Sequence, residues 1–414
     1  MTDVAATPPL LAAATAMLPD VLEIRRLIHR QPERGLQLPL TQQLIVHELE
    51  RLGLAPTRGN ALTSVTALIE GASPGPTILL RADMDALPLT EDTDLPFVSE
   101  IAGTMHACGH DTHVAMLLGA ARLLAERREQ LAGRVLLMFQ PGEEGFHGAR
   151  SMLEEGLLDR PADEAVTGAF AIHISTRYPT GTIYLRPGPM LAAGDTIRIT
   201  VLGRGGHAST PHLAVDPITV AAEIVLALQV MVTRRVDAFE PAVLTIANIS
   251  AGTTTNIIPE TAFIQGTMRT VSEEVRERVR GYVRQVAEGV AAAHGATVDV
   301  DIEPGYPVTV NDPAFTAFVT RTATGLIGAD RVVTLDAPVM GSEDMSYVLQ
   351  QVPGAMVFLG GRPDEVDPLT APQNHSNRVE FDEAAMAVGI ALHAAVALGH
   401  LAAGAGEPDA RRTG

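Results

Sequence analysis

The sequence predicts an α/β/α domain that is interrupted by a smaller, ferredoxin-like α+β domain. Short apolar runs rich in β-forming residues alternate with helical patterns in the first and last parts of the chain, which is typical of an α/β sheet covered on both faces. The middle of the chain instead has the order β-α-β-β-α-β, the ferredoxin-like pattern. Turn-rich segments at 186–189 and 304–307 bracket this middle part. We therefore expect the first domain at 1–188 and 304–414 and the inserted domain at 189–303.

In chain order, the first domain begins with an amphipathic helix that ends near residue 30 and a helix at 41–52, which Gly53 terminates. Strands follow at 63–69, 77–81, 134–139 and 168–174, with a helix at 112–128. The inserted domain has predicted strands at 196–202, 242–249, 261–270 and 296–302, and helices at 216–234 and 272–294, the latter opened by Ser272. A helix at 314–327, a strand at 355–359 and a helix at 382–401 complete the first domain, and residues 402–414 are expected to be frayed.

The composition excludes several classes of function. Of 414 residues, 46% are apolar and 19% charged, so the chain is globular and long enough for two or three domains. All 30 basic residues are arginine, which excludes a Schiff-base lysine, a P-loop lysine and a lysine general base. The net charge of −19 disfavours binding to nucleic acid or to an anionic membrane. With one cysteine and no apolar run of ~20 residues, we expect no intrachain disulfide, no membrane span and a cytoplasmic location.

Five potential metal ligands lie at predicted strand ends and in loops, where α/β folds place their sites. Cys108 and His110 precede a predicted helix, and Glu144 follows a predicted strand. His173 ends a predicted strand, and His375 lies in a loop near the end of the chain. Their sulfur, nitrogen and oxygen donors suit zinc or manganese, and five ligands suit a two-metal hydrolytic centre. The adjacent Glu143 is then the candidate general base for a water. The candidate ligands are Cys108, His110, Glu144, His173 and His375.

Each candidate also has a structural interpretation. A lone cysteine is usually a small buried apolar residue, a Glu-Glu pair is usually solvated, and a histidine at a strand end can simply be hydrogen-bonded. Their positions beside a helix start and after an apolar strand favour the metal site. His106 and His113 could compete as ligands, but we interpret them as supporting or helix-face residues. Either Asp111 or Thr112 can cap the helix that follows. The remaining histidines in the first and inserted domains are interpreted as surface or packing residues: His29, His47, His147, His212, His294, His393 and His400.

Four further polar residues are candidates for orienting groups or substrate contacts. Asp85, just beyond a predicted strand, could orient a ligand histidine or merely cap a turn. In the inserted domain, His207 lies on a glycine-rich turn and could stabilise an oxyanion. Asn256 could donate a hydrogen bond to a substrate carbonyl or carboxylate, and Arg269 at a strand end suits a carboxylate. For these three residues, ordinary turn chemistry or a surface salt bridge is the alternative.

Several motifs, in this order, make the sequence resemble one family. They begin with the segment from His29 to Glu33 and end at Asn374-His375-Ser376. Between them are 81–88 (Arg-Ala-Asp-Met-Asp-Ala-Leu-Pro), 108–111 (Cys-Gly-His-Asp), 142–144 (Gly-Glu-Glu), 206–208 (Gly-His-Ala) and 341–344 (Gly-Ser-Glu-Asp). This set resembles the dinuclear metallohydrolase family of carboxypeptidase G, the aminoacylases and the hippurate and indole-acetyl-amino-acid hydrolases. The cysteine motif is similar to the bacterial N-acyl-amino-acid amidohydrolase branch.

The resemblance implies a catalytic domain with an inserted lid domain through which two copies dimerise. It implies two divalent ions, zinc or manganese with cobalt or nickel as further options, on the five ligands, and Glu143 as the base. It implies that His207 acts across the dimer interface and that Asn256 and Arg269 contact substrate. The expected reaction is hydrolysis of the amide bond of an N-acyl amino acid. The sequence departs from the family pattern after His173 and within 36–40, which leaves the acyl group open.

Two alternative functions remain. One is a dipeptidase or aminopeptidase that uses the same dinuclear centre. The other is a non-catalytic metal-binding relative, which the intact Glu143 beside Glu144 argues against, because a binding protein needs no base.

Overall fold

A computed structural model of the chain describes residues 9–404. The helices are α1 (Leu10–Arg30), α2 (Pro39–Arg51), α3 (His110–Ala125), α4 (Gly148–Glu154), α5 (Pro217–Arg235), α6 (Glu273–Ala293), α7 (Pro313–Ile327), α8 (Ser346–Leu349) and α9 (Ala385–Gly404). The strands are β1 (Thr57–Arg58), β2 (Val65–Glu70), β3 (Ser73–Asp83), β4 (Ala132–Gln140), β5 (Val166–Pro179), β6 (Ile183–Leu185), β7 (Gly188–Leu191), β8 (Ala193–Leu202), β9 (Gly206–His207), β10 (Ala242–Ala251), β11 (Ile257–Ile258), β12 (Thr261–Thr270), β13 (Thr297–Pro304), β14 (Thr309–Asn311), β15 (Val332–Thr334) and β16 (Gly354–Arg362).

The described chain forms two compact units. Among the described residues, the first unit takes in 9–188, 310–336 and 347–404. The second unit consists of 189–309 and 337–346. The chain therefore leaves the first unit twice, once for a long segment and once for a short one.

An eight-stranded mixed sheet organises the first unit, in the order β1-β2-β4-β3-β5-β16-β6-β15. The central pairs β4-β3, β3-β5 and β5-β16 are parallel. The central strands are continuous apolar runs, as expected for strands buried on both faces. α3 and α9 pack on this sheet, and α1 packs on both helices. Because parallel strands end at a common edge, this sheet brings the residues that follow β3 and β4 close together.

The second unit is built on a four-stranded antiparallel sheet with the order β10-β12-β8-β13. Helices α5 and α6 pack together and on this sheet. Their buried positions include Val220, Ile224, Val279 and Val283, spaced four residues apart in pairs, which gives each helix one apolar face. The Ser272 hydroxyl accepts a hydrogen bond from Val275 N, so the predicted cap of α6 is present. The chain order and strand order together are the ferredoxin-like pattern.

The predicted α/β fold is confirmed, with three local corrections. β5 does not end at His173 but continues to Pro179, because β16 pairs with it up to Ser175 and, after a register shift, again at Pro179. The last helix begins at Ala385, since the Asp382 carboxylate first accepts Ala384 N in a turn. It continues through Gly404, so residues 402–404 are helical and not frayed, and residues 405–414 lie outside the described part.

Within residues 9–404, two helices are long and apolar enough to span a membrane by length and composition alone, and both have a packing role. α9 is mostly buried in the core of the first unit. α5 buries one face on the sheet of the second unit and leaves apolar side chains exposed on another.

Candidate metal centre

The turn that enters α3 carries two of the predicted ligands, Cys108 and His110. Between them, Gly109 has a left-handed φ of +86°, and a β-carbon at this position would lie 2.5 Å from Ile174 Cγ2. Only glycine fits both constraints. The prediction that Asp111 or Thr112 caps α3 is wrong. The N-cap position is Gly109, which has no side chain, and no side chain caps the helix there.

Asp111 does not cap α3 because its carboxylate is directed at α1. Asp111 Oδ2 accepts hydrogen bonds from Arg25 Nε at 3.0 Å and lies 2.9 Å from His29 Nδ1. Arg25 Nη1 also donates to Glu383 Oε1 at 2.9 Å. All of these groups except Glu383 are almost completely buried. The first turn of α3, which carries His110, is therefore tied to α1 by a buried ion pair.

The five predicted ligands lie together in one cluster of the first unit. Cys108 Sγ is 3.3 Å from His173 Nε2 and 3.3 Å from His375 Nε2. His375 Nε2 is in turn 3.1 Å from Glu144 Oε1. The possible ligand atoms of Cys108, His110 and His173 lie within 4.8 Å of one another, and so do those of Cys108, Glu144 and His375. Cys108 thus belongs to two overlapping groups, as a ligand shared by two ions would.

The chemistry of this cluster fits divalent metal ions. His110 is completely buried, yet neither of its ring nitrogens has a hydrogen-bond partner among the described residues. Its Nδ1 lies 3.6 Å from Asp85 Oδ1 and its Nε2 lies 3.6 Å from Asp83 Oδ2, both beyond hydrogen-bond distance. Buried polar atoms without partners are rare, and a bound ion satisfies them. Thiolate, imidazole and carboxylate donors together are a set that suits zinc or manganese.

The protonation of His173 and His375 follows from their surroundings. Burial lowers the pKa of His173 well below its ordinary value. Its Nδ1 lies 2.7 Å from the carbonyl oxygen of Ile174 and so carries the proton, which leaves the Nε2 lone pair directed at Cys108. Contacts with the Cys108 thiol and the Glu144 carboxylate raise the pKa of His375 to about 10 when no ion is present. A metal ion reverses this tendency, because it competes with the proton for the same lone pair.

Glu143 and Glu144 are held by Asp85. The Asp85 carboxylate accepts hydrogen bonds from Glu143 N at 2.9 Å and from Glu144 N at 3.0 Å. The possible ligand atoms of His110, Glu143 and Glu144 lie within 4.8 Å of one another. Asp85 therefore fixes the backbone that presents both glutamates, besides lying 3.6 Å from His110 Nδ1.

The cluster has a second support, in which sequence reasoning named His113 as a supporting or helix-face residue but missed Asp83 and Arg81. Asp83 Oδ1 lies 2.5 Å from His113 Nδ1, and Asp83 Oδ2 accepts from Arg81 Nη1 at 2.6 Å. His113 Nε2 accepts the backbone N–H of Ile174, next to His173. Burial disfavours the charged carboxylate, but Arg81 and the neighbouring histidines outweigh it and hold the pKa of Asp83 well below its usual range. His113 reaches this position because it follows His110 by three residues, so both side chains lie on one face of α3.

The second unit brings together only part of its candidate residues. The predicted glycine-rich turn contains the short strand β9, in which His207 pairs with Ile257 of β11. Asn256 precedes Ile257, and its carbonyl oxygen accepts Ala208 N, so Asn256 and His207 are neighbours on an exposed surface. Arg269 lies elsewhere.

Arg269 pairs with Gly194 near one end of β12, whereas Thr261 pairs with Leu202 at the end that leads to His207. Eight residues at ~3.3 Å each separate the two ends by about 26 Å. The Arg269 guanidinium donates to the carbonyl oxygen of Met268 and lies against Gly194. Within the second unit, therefore, Arg269 and His207 belong to different surfaces.

Comparison with known proteins identifies relatives along almost the whole chain. The family described as Peptidase family M20/M25/M40 matches residues 79–399. Thermostable carboxypeptidase 1 of Saccharolobus solfataricus is 40% identical over 91% of this chain and 94% of its own. N-acetylcysteine deacetylase of Bacillus subtilis is 39% identical over 82% of this chain and 88% of its own.

A solved structure gives the same result. The YXEP protein of Bacillus subtilis, described as a dinuclear metal binding peptidase, superposes with a TM-score of 0.80 at 35% identity, covering 94% of this chain and 99% of its own. The resemblance inferred from the motifs is confirmed.

Proposed function

The chain belongs to the M20/M25/M40 peptidase family, and from this premise we propose that it hydrolyses the amide bond of N-acyl amino acids. The products are a carboxylic acid and a free amino acid. Acetyl, benzoyl and related acyl groups fit the proposal. The name of the Bacillus subtilis deacetylase supports an N-acyl substrate.

One observation carries the proposal: five metal-ligand side chains converge around Cys108, with a sixth donor, Glu143, beside them. Two divalent ions held there, zinc or manganese with cobalt or nickel as further options, would polarise the scissile carbonyl and lower the pKa of a water. The ligands are Cys108, His110, Glu144, His173 and His375.

In this proposal Glu143 is the general base. Its backbone N–H is fixed by Asp85, and the residue is 6% exposed, so the carboxylate is largely shielded from bulk water. It takes the proton of the attacking water and passes it to the leaving nitrogen. Asp85 orients this base and its neighbour Glu144.

We assign substrate contacts to the second unit. His207 stabilises the developing oxyanion in the site of another subunit, since within one subunit it is exposed and lies on a different surface from Arg269. The neighbouring Asn256 donates a hydrogen bond to the substrate. Arg269 holds the amino-acid carboxylate. Residues 189–303 then serve as a lid, and 1–188 with 304–414 as the catalytic domain.

A homodimer through the second unit is part of the proposal. On α5, Leu226 and Val230 are four residues apart and are 69% and 59% exposed, so one helix face leaves apolar surface uncovered. β10 is one of the two edge strands of its sheet and exposes Val243 and Ile249. In a two-fold symmetric dimer, α5 and β10 of a second copy cover the exposed face of α5 and the edge of β10. We expect a cytoplasmic enzyme, with neither nucleic acid nor membrane as a partner.

The decisive experiment is Glu143→Ala, with Glu126→Ala as the control at an exposed glutamate. Glu143→Ala should lower kcat on N-acyl amino acids by about 10²- to 10⁴-fold while the metal content stays at that of the wild type. Wild-type turnover by this variant would refute the assigned base. Full metal loading of the wild type with no amidase activity would favour a non-catalytic relative.

A dipeptidase or aminopeptidase is the second candidate, because the structurally similar Bacillus subtilis protein is described as a dinuclear metal binding peptidase. A free dipeptide and its N-acetylated counterpart separate the two. The proposed amidohydrolase cuts only the blocked compound, whereas a dipeptidase or aminopeptidase cuts the free one. A panel of N-acyl amino acids, assayed with each metal, identifies the preferred acyl group and ion.

A further inference from the structure

Two residues other than glycine have a left-handed backbone within the part of the chain that the structure describes, and both are histidines. They are His375, with a φ of +70°, and His147, with a φ of +56°. Side chains with a β-carbon rarely adopt this conformation, and such residues concentrate at functional sites. His375 already belongs to the metal-ligand cluster. His147 has no role in the proposed reaction, so its strained backbone needs another explanation.

His147 closes the turn that carries Glu143 and Glu144. Gly145 N donates to the carbonyl oxygen of Glu143 at 2.8 Å, and Gly148 N donates to that of Gly142 at 3.1 Å. The other left-handed positions of this turn are glycines, Gly142 and Gly145. A third glycine at 147 would avoid the strain. The histidine side chain must therefore contribute something that glycine does not.

That contribution is a bond to a distant segment. His147 Nδ1 lies 2.9 Å from Tyr347 Oη, 200 residues away in the sequence. The guanidinium of Arg150, one turn further along α4, lies over the Tyr347 ring at 5.9 Å from its centroid. The turn thus has two supports: Asp85 holds its beginning and Tyr347 holds its end.

We propose that the hydrogen bond between His147 and Tyr347 positions the Glu143–Glu144 turn, so that both residues are positioning residues for hydrolysis. The left-handed backbone at His147 directs the imidazole toward Tyr347. Releasing this end of the turn lets the Glu143 carboxylate move away from the position in which it accepts the proton. The geometry of this proposal stands alone, but its test by enzyme activity rests on the proposed function.

The test uses His147→Gly and Tyr347→Phe, alone and combined. Glycine relieves the left-handed strain while loosening the unfolded chain, and these effects oppose each other, so the Tm of His147→Gly should change little. Each single variant should lower kcat by about 10- to 100-fold with KM and metal content unchanged, since a small displacement of the base acts on the transition state. The double variant should be no slower than either single one.

Two control variants isolate the hydrogen bond. His147→Asn tolerates the left-handed backbone but has a side chain too short to reach Tyr347, so it should behave like His147→Gly. Tyr184→Phe removes the hydroxyl of a tyrosine that stacks on Tyr178 in the sheet, and its kcat should match that of the wild type.

A second readout does not depend on the substrate. Hydrogen exchange of a peptide spanning 142–148 reports the turn amides of Gly145 and Gly148, and exchange should be faster in His147→Gly and in Tyr347→Phe. If the wild type cuts no N-acyl amino acid, the proposed function fails, and exchange alone decides on the positioning role. Unchanged exchange in both variants, or additive kinetic losses, would overturn it.

Discussion

Replacing the buried Arg25 should be far more costly than replacing its neighbour Arg26. Both arginines lie on α1, and both donate to the carboxylate of Glu383. They differ in exposure, because Arg25 is 1% exposed and Arg26 is 38% exposed. Arg25 also holds Asp111, the residue after His110, whose carboxylate is completely buried. The two variants therefore compare a buried and an exposed ion pair on the same helix with one shared partner.

The structure sets the expected magnitudes. Arg25→Ala leaves the buried Asp111 carboxylate with only His29 as a charged partner, and breaking a buried pair in this way costs about 3–5 kcal/mol of unfolding free energy. Arg26→Ala removes a solvent-screened pair and should cost about 0–1 kcal/mol. Since Asp111 anchors the turn that carries His110, Arg25→Ala should also weaken metal retention, and Arg26→Ala should not.

Urea unfolding at neutral pH measures both costs, provided that the m-value is unchanged between the variants. The metal content of each folded variant after dialysis gives the second comparison. Equal destabilisation by the two substitutions would refute the reasoning, and so would an Arg25→Ala variant that loses less than about 1 kcal/mol.

Three further predictions concern the same unit. Gly109→Ala should abolish metal binding and lower the unfolding free energy by about 2–4 kcal/mol, because the backbone is left-handed there and the new β-carbon would clash with Ile174. A wild-type metal content in this variant would contradict the prediction. Burial lowers the pKa of His29, but Asp111 outweighs it and raises the pKa to about 9. The wild type should therefore have a higher unfolding free energy than His29→Gln, by the full amount below about pH 6.5, and this difference should shrink by about 3 kcal/mol as the pH rises past about 9. Urea unfolding at a pH below about 6.5 and at a pH above about 9 measures the difference. A difference that does not change with pH would argue against the ion pair. Cys108 is the only thiol, so one alkylation of the metal-free protein should block metal rebinding and activity, and bound metal should slow the reaction, as followed by mass spectrometry; full activity after alkylation would exclude Cys108 as a ligand.

Most of the element order was predictable, because it depends on local periodicity. The predicted strand at 261–270 coincides with β12, and the Ser272 cap of α6 is present as expected. Errors occurred where a neighbour in space decided the outcome. β5 continues past His173 because β16 runs beside it, and Asp111 is no cap because α1 binds its carboxylate.

The candidate site divides in the same way. The donor types and their places after strands and before a helix are visible in the sequence, and these residues do converge. Their supports are not visible, because each support joins positions far apart in the chain. Asp85 with the Glu143 backbone, Arg25 with Asp111, and His147 with Tyr347 are of this kind.

By itself, the sequence determined the α/β fold with its ferredoxin-like insertion, the family, and the set of thiol, imidazole and carboxylate groups available for chemistry. Only the tertiary structure decided which side chains meet, which carboxylates are buried beside arginines, and that His147 is strained. The physical reason is that periodicity and capping act within a few residues, whereas an ion pair or a turn support depends on packing between segments. The separation of Arg269 from His207 along β12 shows the same limit, since the register of neighbouring strands sets it.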